Sequence, residues 1–274
     1  MTGILGTLIE ADSDVITFGR ALFAVLALSP LLSRENKALK ATSAVSDRTS
    51  HNWRYLASGF LLSIHWVSFF VSVKTAGVAI ATLGFSSFAA FITVLEWIID
   101  RNGVCKSDWV RAFAVSVGLI LITPSFELAN RGTYGFAMGL LSGFSFAAMA
   151  VFNSRMLATV NPIRVARNQN IVVAFLMAFW AIPLLGELSG ASWLWLAVLG
   201  IFCTGLSHSL FVSSLKRMRV STAGLVIALE PLYAIVAAWL LFHEIPSMRT
   251  IAGGIIIVGA IMGVSYSNAT KQQA

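Results

Sequence analysis

Four ionisable side chains stand inside long apolar runs of this chain: Arg20, His65, His208 and Glu230. Placing a charge at the centre of a hydrocarbon layer costs about 2.5 to 3.5 kcal/mol on insertion scales, so each is a candidate to face a cavity or a partner. Glu230 falls near the middle of its run, and Pro231 beside it removes a backbone hydrogen bond and strains the preceding turn. The expectation is a kinked helix with Pro231 as its hinge, freed carbonyls that bind a polar group, and Tyr233 on the same face as Glu230. The competing reading has Glu230 only satisfying neighbouring helix backbones. His65 is followed by Trp66, an aromatic able to stack on a substrate or a cationic group. Both histidines have an ordinary pKa of about 6.5, which suits proton coupling, although a lone histidine on a helix also serves as a hydrogen-bonded packing residue. Arg20 lies a little over one turn inside its run. Its guanidinium either snorkels out toward Glu10, Asp12 and Asp14 or grips a carboxylate.

Two polar positions rank second. Glu96 is three residues from the end of its run, beside Asp100 and Arg101, and reads as an interfacial charge. Asn168, Gln169 and Asn170 form a polar patch; Gln169 counts among the binding candidates and Asn168 behind it, while such side chains also bind helices together. No catalytic signature is present: there is no H-E-x-x-H, no G-x-S-x-G and no phosphate-cradling glycine loop. Cys105 and Cys203 lack metal or redox spacing and read as packing residues, so no metal and no cofactor is expected.

The elements that must carry these residues are set by composition. Apolar residues make up 57% of 274 positions and charged residues 11%, against about 25% charge in a soluble domain. Spanning about 30 Å of hydrocarbon takes roughly 20 apolar residues per helix. The apolar windows predict an all-α integral membrane protein with nine full spans: Val15–Leu32, Trp53–Val73, Val78–Ile99, Trp109–Thr123, Tyr134–Leu157, Val165–Leu185, Ser192–Val212, Ser221–Phe242 and Met248–Ser267. Met1–Ile9 is apolar but reaches only about 14 Å as a helix. It reads as the back half of a truncated first span, which makes ten; a complete short interfacial segment is the alternative.

The formal charge of +7 is dispersed through short loops rather than gathered in a stripe, which argues against a nucleic-acid partner. Of the 19 Lys and Arg residues, all but Lys74, Arg131, Arg249 and the intra-span Arg20 fall on alternate loops. Cytoplasmic loops accumulate such residues, so the C-terminus is expected in the cytoplasm of a cell whose inner membrane the chain spans several times.

Compared with itself, the chain repeats F-x-x-S-x-K at Phe69–Lys74 and Phe211–Lys216, with His65 and His208 upstream of each within one residue of correspondence. Gln169 is the expected counterpart of Arg20 in the second copy. Five spans per copy is an odd number, so the second copy enters the bilayer from the opposite side. The domains expected are 1–125, 132–268 and a tail at 269–274. Two inverted five-helix halves around a midplane site are the usual architecture of secondary transporters working by alternating access.

The run H-W-x-x-F-F-x-x-x-K at His65–Lys74, V-A-I-A-T-L from Val78, A-L-E-P-L-Y at Ala228–Tyr233, H-E at His243–Glu244 and the glycine-rich last span together resemble the drug/metabolite transporter superfamily, EamA type. The resemblance covers the whole chain. It implies efflux of amino acids, related organic solutes or drug-like compounds through a central cavity, and it favours a carboxylate-gripping Arg20. The chain departs from that pattern in its short first helix and in Phe88, which stands near the first-half counterpart of Pro231. A non-transporting scaffold and an intramembrane enzyme are the alternatives. Expected partners are a small-molecule substrate and the bilayer. Gly253, Gly254, Gly259 and Gly263 allow close approach of the last helix to a neighbour, compatible with a monomer or a homodimer.

Overall fold

The computed structural model describes residues 2–41, 52–101, 104–122, 130–156, 160–220, 223, 227, 230–243 and 245–272, with backbone alone at 34–41, 156, 232 and 261–272. Thr123, Leu157, Ser221, Ala228 and Glu244, which figure in the expected spans and motifs, lie outside the described residues.

The chain is a bundle of helices: α1 Thr2–Leu8, α2 Ser13–Ala41, α3 Asn52–Phe85, α4 Phe88–Ile99, α5 Lys106–Ile122, α6 Arg131–Met156, α7 Pro162–Ala181, α8 Gly190–Ser214, α9 Glu230–Phe242 and α10 Met248–Gln272. Among the described residues there is no strand. Among the described residues, five stretches are long and apolar enough to cross a bilayer as single helices: Ser13–Ser33, Asn52–Phe85, Arg131–Arg155, Pro162–Glu187 and Gly190–Ser214. The protein is an all-α, multi-pass membrane protein.

Of the other expected spans, Met248–Ser267 lies within the unbroken α10, and the one over Val78–Ile99 is interrupted for local reasons. Gly77, with φ 82° and ψ 168°, breaks α3 into two limbs, in a region of backbone that a Cβ disfavours. The span expected over Val78–Ile99 then breaks again at Ser86 and Ser87. Ser86 donates its hydroxyl to the carbonyl of Thr82 at 2.9 Å, and its N–H is shared between Thr82 and Leu83. Conversely, α2 runs straight through Pro30 and on to Ala41, well beyond the expected end at Leu32. The Arg-Glu-Asn-Lys-Ala-Leu-Lys segment that follows is polar but rich in good helix formers, so polarity marks the edge of the bilayer and not the end of the helix.

Packing is closest between α3 and α6. Gly135, Gly139 and Gly143 recur at every fourth position of α6, and each abuts the partner: Gly135 meets Ala76, Gly139 lies against Gly84, and Gly143 faces Ser87 and the carbonyl of Phe85. Small residues at such spacing let backbones approach where lipid supplies no hydrophobic drive between helices. The last helix uses its glycines within the chain: Gly253 fits against Gly118 and Ile122 of α5, while a side chain at Gly259 would meet nothing within 4 Å.

Candidate functional site

The limbs of α2, α3, α6, α8 and α9 leave a cavity of about 140 Å³ between them, lined by Arg20, His65, Trp66, His208 and Glu230. Phe69, Phe85, Phe146, Phe211 and Ile227 supply the apolar wall, and Thr2, Cys203 and Ser207 complete it. Polar groups are therefore set among aromatic rings, the chemistry of a small-molecule site.

Arg20 is 3% exposed and points inward, away from the acidic residues at the start of α2. Its Nε donates to Thr204 Oγ1 at 2.9 Å, and its Cζ stands 3.9 Å from the centre of the Trp66 ring. Nη1 is buried without a hydrogen-bond partner. Thr204 owes its place to a π-helical stretch over Leu199–Leu206, where its hydroxyl donates five residues back to the carbonyl of Leu199 at 2.9 Å. Gly200 permits this, because a Cβ there would fall 2.8 Å from the Arg20 carbonyl and collide with Phe23. The guanidinium is thus clamped by a hydroxyl on one edge and an indole on one face, leaving Nη1 able to donate to an anionic oxygen.

Both histidines are held by a second layer. His65 Nδ1 lies 2.8 Å from Ser142 Oγ and 3.2 Å from the Ser142 carbonyl. A carbonyl only accepts, so in the neutral ring Nδ1 carries the proton and Nε2 is left as an acceptor. His208 Nε2 lies 2.8 Å from Gln169 Oε1, and Gln169 Nε2 donates to Asn153 Oδ1 at 2.9 Å. That chain assigns the proton of His208 to Nε2 and its lone pair to Nδ1. Glu230, partly buried, lies within electrostatic reach of Arg20. The cavity therefore combines a cation, a carboxylate and two imidazoles.

Of the sequence-predicted residues, Arg20, His65, Trp66, His208 and Glu230 come together here. Gln169 is fully buried and stands behind His208 rather than on the cavity wall. Tyr233 is 48% exposed and Asn168 half-buried, and neither lines the cavity. Pro231 lines a separate apolar crevice with Leu83, Ile235 and Ile251. Glu96 sits in the electrostatic field of Asp108, Arg111, Arg155 and Arg219. Sequence reasoning missed Thr204, Ser142, Asn153, Cys203 and the phenylalanines. Phe69 and Phe211 were marked by the repeated F-x-x-S-x-K, and the others carry no signal that separates them from packing residues.

Comparison with known proteins fits this architecture. Residues 133–266 match the EamA-like transporter family. A protein of Archaeoglobus fulgidus described as an uncharacterized transporter is 25% identical over 93% of this chain and 87% of its own. The S-adenosylmethionine uptake transporter of Rickettsia bellii is 24% identical over 97% of this chain and 88% of its own. In fold, a solved crystal structure superposes with a TM-score of 0.70 at 15% identity, covering 97% of this chain and 95% of that one. A polar cavity enclosed by membrane-spanning helices, with relatives along nearly its whole length that are described as transporters, makes this chain a membrane transport protein whose second half is similar to the EamA-like transporter family.

Proposed function

We propose that the protein is a secondary transporter that carries a small organic solute bearing a carboxylate, an amino acid or a related metabolite, across the cytoplasmic membrane by alternating access. Two halves, residues 1–125 and 132–268, inserted in opposite senses, would close on the solute in turn from either side.

The observation that carries this reading is the symmetry of the cavity wall. His65 and Ser207, Trp66 and His208, Phe69 and Phe211, and Phe85 and Ile227 all line it, and the members of each pair are 142 residues apart, the spacing of the F-x-x-S-x-K repeat. A site built from equivalent positions of two copies is what a midplane pocket between repeats requires. Packing agrees with it: α2 lies against α7 and α5 against α10, equivalent helices in direct contact, as elements beside a pseudo-two-fold axis are. Within that frame Arg20 is the carboxylate anchor, Trp66 its platform, Glu230 the partner for a cationic group, and the two imidazoles acceptors available for proton coupling. Proton coupling belongs to this proposal, as does an inner-membrane orientation with the C-terminus and the basic loops in the cytoplasm.

Efflux is implied by the family resemblance, whereas the Rickettsia relative is described as an uptake transporter. The cavity chemistry serves either direction. Reconstitution into proteoliposomes, with labelled S-adenosylmethionine and a panel of labelled amino acids on one side and a proton gradient imposed in each sense, tests the reading. Flux of at least one of these solutes is expected, together with a loss of tenfold or more in Arg20→Gln, on the order of one charge-assisted hydrogen bond. Unchanged flux when Arg20, His65 and Glu230 are all neutralised would refute the site.

A further inference from the structure

At the end of the bundle that carries the basic loops, the first turn of α5 meets the connection that follows α8. Asp108 is 3% exposed and serves three donors. It accepts the backbone N–H of Cys105 at 2.9 Å, pairs with Arg111 one turn further along α5, and accepts Arg219 Nη2 at 3.2 Å. The first two contacts are local to α5. The third reaches 111 residues along the chain, to the segment that leads into the Glu230 helix. Arg219 is also within 3.8 Å of Cys105 Sγ and in the field of Glu96. Its side chain is 47% exposed, and the buried Asp108 keeps Arg111 and the Cys105 N–H as partners, so this contact can break without orphaning the carboxylate.

The 142-residue repeat maps Asp108 onto Thr250, Cys105 onto Ser247 and Arg219 onto Gly77. Ser247 and Thr250 reproduce the helix-starting clasp, with the Thr250 N–H donating to Ser247 Oγ at 3.2 Å. The charges are not reproduced: a threonine and a glycine cannot form an ion pair. One end of the molecule is thus equipped with an electrostatic tie between the halves at positions where the other end has none.

We propose that the Asp108–Arg219 ion pair is a one-sided latch, holding the cavity shut toward the basic end and breaking when the cavity opens there. The latch rests on the alternating-access reading. Its test does not depend on substrate, because the chain has two cysteines and one of them, Cys203, lines the cavity. In a Cys105→Ser background, Cys203 is the only thiol. Membrane vesicles with the basic face outward are treated with a membrane-impermeant maleimide, and the rate of Cys203 labelling is followed.

Arg219→Glu places a like charge against Asp108 and is expected to raise that rate about twofold to fivefold, the shift that a partly exposed ion pair supports. Arg219→Gln is expected to move it in the same direction by less, and Arg219→Lys to keep the parental rate. Parental labelling in both the Glu and Gln variants overturns the latch, as does an equal rise in the Lys variant, since charge would then not be the cause. Where Arg219→Glu fails to accumulate in the membrane, the Gln variant decides. Parental labelling with intact solute flux removes the latch alone, whereas absent flux with altered labelling counts against the choice of solute.

Discussion

Arg20 illustrates how a permanent charge is tolerated in the middle of a membrane bundle. Its Nε is matched to the Thr204 hydroxyl at 2.9 Å and its face to Trp66, while Nη1 is buried without a hydrogen-bond partner, the edge that the proposed function offers to a carboxylate. Removing the hydroxyl converts a satisfied buried donor into an orphan, which costs about 1 to 3 kcal/mol. Thr204→Val is therefore expected to lower the midpoint of thermal unfolding in detergent and to raise KM for the transported solute more than it lowers the maximal rate. Thr204→Ser, which keeps the hydroxyl, is expected to restore both. A Val variant with parental KM would show that the clamp on the guanidinium is dispensable. The contrast between Arg20 and Thr204 also explains what could be read from sequence at this scale. An arginine, a histidine or a glutamate in an apolar run is conspicuous because hydrocarbon penalises it. A threonine is not penalised, since in an ordinary helix its hydroxyl bonds its own backbone. The phenylalanines of the wall are likewise hidden among 19 in the chain, most of which would serve equally well against lipid.

Elements were legible where hydrophobic length decides and illegible where backbone chemistry does. The window over Val78–Ile99 has the composition of one span, yet it contains the turn at Ser86 and Ser87, because small polar residues neither lower hydropathy much nor announce a break. The π-helical stretch in α8 has no compositional mark either, since it depends on Gly200 meeting the backbone of Arg20 across the interface. Pro30 stands inside α2, which continues past the expected end at Leu32. The same closeness of backbones gives a sharp test on glycine. A methyl group at Gly143 would collide with Ser87 Oγ and lie 2.8 Å from the carbonyl of Phe85, and backbone atoms cannot yield as a flexible side chain does. Gly143→Ala is expected to destabilise the protein by about 1 to 3 kcal/mol, the usual cost of overpacking. Gly259→Ala meets open space and is expected to be neutral or to gain slightly from better helix propensity, up to about 1 kcal/mol. Thermal unfolding of the two purified variants side by side would show the difference, and equal behaviour would mean that the α3–α6 seam is looser than its geometry.

For the whole molecule, the decisive property is the sense in which each half threads the bilayer. The repeat places Lys74 and Lys216 at equivalent positions, each closing an F-x-x-S-x-K motif, and both side chains are exposed. If the halves are separated by five crossings, these two equivalent lysines must emerge on opposite faces, since an odd number of crossings reverses the side. The distribution of basic residues agrees with that arrangement, Lys74 falling with the sparse loops and Lys216 beside Arg217 and Arg219. With Cys105 and Cys203 replaced by serine, Lys74→Cys and Lys216→Cys variants each present a single thiol. In vesicles of one orientation, an impermeant maleimide is expected to label the first and spare the second, and in inverted vesicles the pattern is expected to reverse. The same-face outcome would leave the cavity wall with its paired residues but without the geometry that lets one site face both sides in turn. The pairs His65 with Ser207 and Phe85 with Ile227 would then need another explanation than a pocket shared between two halves of opposite topology.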